Sequence, residues 1–179
     1  MALTNRLVAV DVYTASYRVV GKVQVGNTGL IGLLNDETTS YMRVHEATLA
    51  RLHMPTKLAA RYEFVELTKR GIHAVCVATK EDLGPLALIR GGFSRTLQYD
   101  VVAVSQVFEF EGIFNWAGHF DPAAILVKGT SDFLAFYDGA LQAVLFPNLR
   151  VEAPGMLVNR RKIDIFVHAK EPTGRRASS

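Results

Sequence analysis

Tyr17-Arg18-Val19-Val20-Gly21-Lys22-Val23 and Phe108-Glu109-Phe110-Glu111-Gly112-Ile113-Phe114 are the two stretches that decide the fold. Both are rich in β-branched and aromatic residues, and each is interrupted by a single glycine at the same place. A glycine inside such a run marks a bulge or a sharp bend, as at the corner of a small barrel. The two stretches lie 91 residues apart. Leu67 to Val75 aligns with Val158 to Phe166 at the same spacing, and Ser40 to Ala47 aligns with Asp132 to Gly139 at a spacing of 92. Three segments in one order, at nearly one offset, predict an internal duplication with a unit of about 80 residues.

The units that follow are 1–80 and 97–171. A linker at 81–96 carries the breakers Gly84-Pro85 and Gly91-Gly92, and a polar tail at 172–179 is expected to be disordered. The first unit reads as strands at Val8 to Tyr13, Tyr17 to Val25, Tyr41 to His45, Tyr62 to Thr68 and Ile72 to Ala78. The second adds Phe133 to Tyr137, Ala140 to Phe146, Gly155 to Asn159 and Ile163 to Ala169. Val44 to Ala60 has helix-favouring residues, but Pro55 would break a helix there, and the segment is assigned to strand. Leu30 to Leu34 and Pro122 to Leu126 are read as short helical turns.

The 179 residues are 49% apolar and 21% charged, an ordinary globular composition long enough to bury a core without disulfides or metals. No apolar run approaches the length of a membrane span, and Met1 to Val10 lacks the apolar stretch of a secretory signal. The expectation is a soluble, cytoplasmic protein with no membrane partner. Twenty basic residues against 17 acids give a formal charge of +3, so any nucleic-acid contact has to be local.

The order of segments resembles the Sm-like fold, on Asp132-Phe133-Leu134-Ala135-Phe136-Tyr137-Asp138-Gly139-Ala140 for the middle segment and Lys69-Arg70-Gly71-Ile72 for the last turn. Leu33-Leu34-Asn35 is similar to a segment of a bacterial group of Sm-like proteins. The resemblance spans about 150 residues as two copies. It implies an all-β chain of two tandem, small, bent, five-stranded barrels of Sm-like (SH3-like) type. It further implies a homo-oligomer, in which three two-barrel chains make a trimer forming a pseudo-hexameric ring by pairing edge strands. The family's RNA-contacting asparagine falls at Arg43 and Ala135, and the second turn, Asn159-Arg160-Arg161-Lys162, lacks the glycine.

The candidate RNA-binding residues are Lys69, Arg70, Arg160, Arg161 and Lys162, at equivalent turns of the two copies. Around a ring they would present a repeated basic surface to phosphates, with Tyr41, Phe133 and Tyr137 near enough to stack bases. As ordinary hairpin turns they are solvated, and the aromatics fill the core. Nothing in the sequence assembles a catalytic constellation. The five histidines have no metal-ligand spacing, Cys76 sits in an apolar strand as a small hydrophobe, and no serine stands in a nucleophile elbow. Neither Gly26-Asn27-Thr28-Gly29 nor Arg90-Gly91-Gly92-Phe93-Ser94 is a phosphate-cradling loop. The reading is therefore a non-enzymatic binding or scaffold protein without cofactor or metal. Two alternatives remain open: a purely structural protein-interaction module that binds another protein through its edge strands and the Trp116 region, and a small-ligand barrel or enzyme with its site between the copies.

Overall fold

Val8, Val10 and Val12 are buried while Leu7 and Ala9 are exposed, the period-two signature of a half-covered strand. The same alternation recurs from Tyr41 to Val44 and from Phe108 to Glu111, whereas Ile72–Val77 is buried throughout. The computed structural model describes residues 5–85 and 96–169. The strands are β1 (Arg6–Thr14), β2 (Tyr17–Val25), β3 (Tyr41–Arg51), β4 (Leu58–Thr68), β5 (Ile72–Val77), β6 (Thr96–Ser105), β7 (Phe108–Ala117), β8 (Phe133–Ala143), β9 (Arg150–Asn159) and β10 (Ile163–His168). A short helix, α1 (Gly29–Asn35), precedes β3, and a single wide helical turn at Ala124–Lys128 stands at the matching place before β8. Residues 86–95 and 170–179 lie outside the described residues, so the Gly91-Gly92 part of the linker and the tail are not placed.

All ten strands form one antiparallel sheet in the order β10-β6-β7-β8-β9-β5-β1-β2-β3-β4. Each half therefore carries the same internal order: its last strand, then its first, second, third and fourth. The halves join where β9 pairs with β5, with Ala74 opposite Val158 and Val77 opposite Gly155. The sheet is open, with β4 and β10 at its edges, and its ladder does not resolve into two closed barrels.

Equivalent details repeat at the spacings read from the sequence. The Thr14 and Ser105 hydroxyls each cap the turn into the next strand, accepting from Tyr17 N–H at 3.0 Å and Phe108 N–H at 3.0 Å. Glu46 and Asp138 both have positive φ, 50° and 45°. Each sits where the register slips opposite Gly21 or Gly112. The bend is thus a bulge on β3 or β8, with the glycine facing it across the ladder. An added Cβ at Gly21 would lie 2.5 Å from the His45 carbonyl oxygen, which is why the position is bare.

Several boundaries differ from the sequence reading. β3 runs unbroken to Arg51 and β4 starts at Leu58, with Pro55 in the turn between them, so the segment 44–60 is strand apart from that turn. Phe133 to Ala143 is one strand through its bulge, Phe146 lies in a turn, and β6, for which no separate strand was assigned, opens the second half. The start of the linker is structured: Lys80–Leu83 forms a tight helical turn whose Leu83 is fully buried.

Two apolar cores lie along the sheet, and each borrows from the other half. The first contains Val12, Val23, Leu30, Val44 and Val75 together with Phe133, Ala135, Tyr137 and Leu157 of the second half. The second contains Phe108, Phe110, Phe136 and Leu141 with Tyr13, Ala74 and Cys76 of the first. Burial pushes the Cys76 thiol above its ordinary range, in keeping with a small hydrophobe.

Candidate functional site at the joint

The two basic turns meet at the β5–β9 joint. Lys69–Gly71 and Arg160–Lys162 are tight helical turns that link the fourth strand of each half to its fifth. They are anchored alike: Lys69 N–H donates to the Ser40 carbonyl at 2.9 Å, and Arg160 N–H donates to the Asp132 carbonyl at 2.8 Å. Lys69, Arg70 and Arg161 line a cleft of about 740 Å³ between the halves, together with Asp36, Glu37 and Asp132.

Two asparagines weld this joint. Asn159 is 2% exposed; its side-chain amide donates to the Ile72 carbonyl at 2.8 Å, and its oxygen accepts from Arg161 N–H at 3.0 Å. Asn35, at the end of α1, pairs with the backbone of Phe133 as an extra strand residue would. Its oxygen accepts from Phe133 N–H at 2.8 Å and its amide donates to the Phe133 carbonyl at 3.2 Å. Each amide satisfies buried backbone groups of the opposite half.

The candidate basic residues divide by their surroundings. Lys69 is buried, and its ammonium donates to the Asp36 carbonyl at 2.7 Å and to Thr39 Oγ1 at 3.0 Å. Burial lowers its pKa, with Asp36 and Asp132 acting against that shift. Arg160 donates to the Leu126 carbonyl at 3.0 Å and lies 3.4 Å from Asp132. Arg161, with its side chain 71% exposed, is paired to Asp132 at 2.8 Å. Arg70 is exposed and Lys162 half-buried, and among the described residues neither makes an ion pair. Three cations face three acids in this cleft, so its net charge is near zero. Of the aromatics, Phe133 and Tyr137 are core residues and only Tyr41, at 46% exposure, is available at the surface.

His73 lies in β5 beside the joint, its ring edge-on to Phe108 at 5.6 Å and its Nδ1 buried with no hydrogen-bond partner among the described residues. Burial, with Lys162 adding a smaller push, lowers its pKa to about 4. Trp116 is half-buried and stacks on Phe114 at 6.1 Å. A second hollow of about 560 Å³ lies between the halves, bordered by the ion pairs Arg6–Asp82 (2.6 Å) and Lys80–Asp138 (2.5 Å). Among the described residues, no three of His, Cys, Asp and Glu converge as a metal site, and no helix is long and apolar enough to cross a membrane.

The sequence reading singled out the basic turns but gave no role to Asn159, Asp132 or Asp36. The readable signal was an asparagine directly before a three-residue turn, which favours a side-chain bond to the backbone two residues on. No protein-family model, no curated protein and no solved structure matches the chain.

Proposed function

We propose that the chain is a non-enzymatic, self-assembling scaffold or binding protein of Sm-like fold, whose two halves are tandem five-stranded units. Copies join edge to edge, and three of them close a pseudo-hexameric ring. One observation carries this reading. The internal joint pairs a fourth strand, β9, with a fifth strand, β5, and the two strands left at the sheet edges are the other fourth and the other fifth, β4 and β10. Unpaired edges of this kind invite strand addition, and a closed ring removes them.

Carrying the internal register across by the repeat puts Ile165 opposite Leu67, Val167 opposite Val65 and His168 opposite Phe64. Ile165 and Val167 are 54% and 44% exposed in a single copy, and Phe64 is 47% exposed. The pairing would cover apolar side chains on both edges and set no like charges against each other. RNA binding through all five basic residues is less well supported at the internal joint, where Lys69 is buried and Arg160 and Arg161 are held by Asp132.

Light scattering over a range of concentrations tests the reading. The expected mass is three times the 19.7 kDa chain. Glu66→Pro on β4 or His168→Pro on β10 should each return a folded monomer, because the N–H groups of these two residues face the open edges and proline removes a ladder donor there without touching the internal joint. A wild-type monomer at every concentration would overturn the assembly.

A further inference from the structure

We infer that one end of the fold, the end that carries the β3–β4 and β8–β9 turns, is a docking surface for an anionic lipid bilayer. The inference concerns a single chain and goes beyond the edge pairing proposed above.

Four turns meet at this end. The Leu52 N–H donates to the Ser16 carbonyl at 2.9 Å and ties the β3–β4 turn to the β1–β2 turn. The Val144 N–H donates to the Val107 carbonyl at 2.8 Å and ties the β8–β9 turn to the β6–β7 turn. The rings of His53 and Phe146, 6.0 Å apart, join the two pairs across the halves. The β3–β4 and β8–β9 turns are equivalent by the repeat. Each sets an apolar residue before a proline, Met54-Pro55 and Phe146-Pro147, 92 residues apart.

Turn tips ordinarily carry Gly, Pro and small polar residues. Here Val144, Leu145 and Phe146 are all exposed, and Met54 is exposed on the neighbouring turn. Leu145 is 78% exposed, so its side chain projects from the surface and lines no groove.

The charge around the tips has one sign. Segments 12–18, 47–62, 101–108 and 139–151 contain no aspartate or glutamate. Arg51 and Lys57 flank Met54, are exposed, and make no ion pair among the described residues. Arg18 and Arg150 are held by Asp11 and Glu111. Glu109, just past the β6–β7 turn, is the acid closest to these turns in sequence.

A protruding apolar tip flanked by cations matches a layer that is anionic at its surface and apolar beneath. Leu145 and Phe146 would enter the acyl boundary while Arg51 and Lys57 stay at the headgroups. Among the described residues no helix is long and apolar enough to cross a membrane, so the contact is peripheral. The expectation of no membrane partner rested on the missing span, which does not bear on a contact made by turn tips.

The test sediments the full chain with vesicles of phosphatidylcholine alone and of phosphatidylcholine with about 30% phosphatidylserine, beside light scattering of the chain by itself. The wild type should bind the anionic vesicles roughly tenfold more tightly than the neutral ones, with an affinity that falls with salt. Leu145→Ser should weaken that binding about fivefold, and Arg51→Glu with Lys57→Glu about tenfold. The thermal midpoint should not move, because all three side chains lie in solvent. Val127→Ser, at another exposed apolar side chain, should bind as the wild type does. A wild type that binds neither vesicle, binds both equally, or binds no better than Leu145→Ser overturns the inference. If the chain binds no vesicle and Leu145→Ser lowers its mass in solution, the tips belong to a second copy instead. None of these outcomes touches the β4 and β10 edges, which the proline variants test separately.

Discussion

β5 and β10 are the same strand of the two halves, six residues each, and their surroundings are opposite. Every residue of Ile72–Val77 is buried, whereas in Ile163–His168 only Phe166 is. The difference lies in the neighbour: β9 covers β5, and among the described residues no strand pairs with the far side of β10. The fourth strands show the same contrast. Met156, Leu157 and Val158 of β9 are fully buried, while their counterparts Val65, Glu66 and Leu67 lie at an open edge, half-buried or exposed. One chain thus contains both a finished joint and the two strands from which another could be made. Exchanging residues between equivalent positions is the way to separate what the joint requires from what the edge tolerates.

The largest effect is expected at Leu157, which is fully buried in the first-half core and whose counterpart is the exposed Glu66. Leu157→Glu puts an unpaired carboxylate into the joint and should cost about 4 kcal/mol or prevent folding. The reverse exchange, Glu66→Leu, should leave the unfolding temperature of the chain nearly unchanged. If both exchanges were tolerated in chemical denaturation, the joint would be no more than a surface contact.

Asn159 comes next, against its counterpart Thr68. Asn159→Thr abandons the Ile72 carbonyl and the Arg161 N–H in a buried place and should cost about 2–3 kcal/mol by urea unfolding. Thr68→Asn, at an exposed edge position, should cost far less. If the two costs were equal, Asn159 would be only a turn residue and not a weld between the halves.

These positions show how far the sequence could be read. The alternation of apolar residues, the two glycines and the offset of 91 carried the β content, the bends and the equivalence of the basic turns. They did not carry the joint. Two five-stranded units with a linker look alike in sequence whether they stand apart or share a ladder, because a strand's pattern records that it is covered and not by which partner. Nor did they locate the bulged residue. Gly21 was read as the bend, yet Glu46 on the facing strand adopts the left-handed conformation, and nothing about a glutamate announces it. The charge balance of the cleft was illegible for the same reason, since Asp36 and Asp132 approach the basic turns only through the fold.

His73 and its counterpart Asp164 compare the covered and uncovered fifth strands by pH. His73 stays neutral in the folded chain until about pH 4, while an unfolded histidine takes up its proton near 6.5. The unfolded state therefore binds more protons in between, and stability should fall as the pH drops from about 6.5 to about 4, by on the order of 2 kcal/mol. His73→Leu should flatten this part of the stability profile. Asp164→Asn, on the exposed strand, should leave it in place. A slope that survives in His73→Leu would assign the acid sensitivity to other groups.

The smallest contrast is at the two bends. Glu46 and Asp138 hold nearly the same positive φ, but a short aspartate accepts that conformation more readily than a glutamate does. Asp138 also pairs with Lys80 at 2.5 Å, across the boundary between the halves, whereas Glu46 pairs with Lys22 within its own half. Glu46→Gly should therefore raise stability by about 1 kcal/mol, and Asp138→Gly by less, read as shifts in thermal midpoint. Equal gains would mean that the bulge alone sets the strain. A larger gain at Glu46 would mean that the glutamate holds the bend at a higher cost than the shorter aspartate, whose pairing with Lys80 is lost in Asp138→Gly.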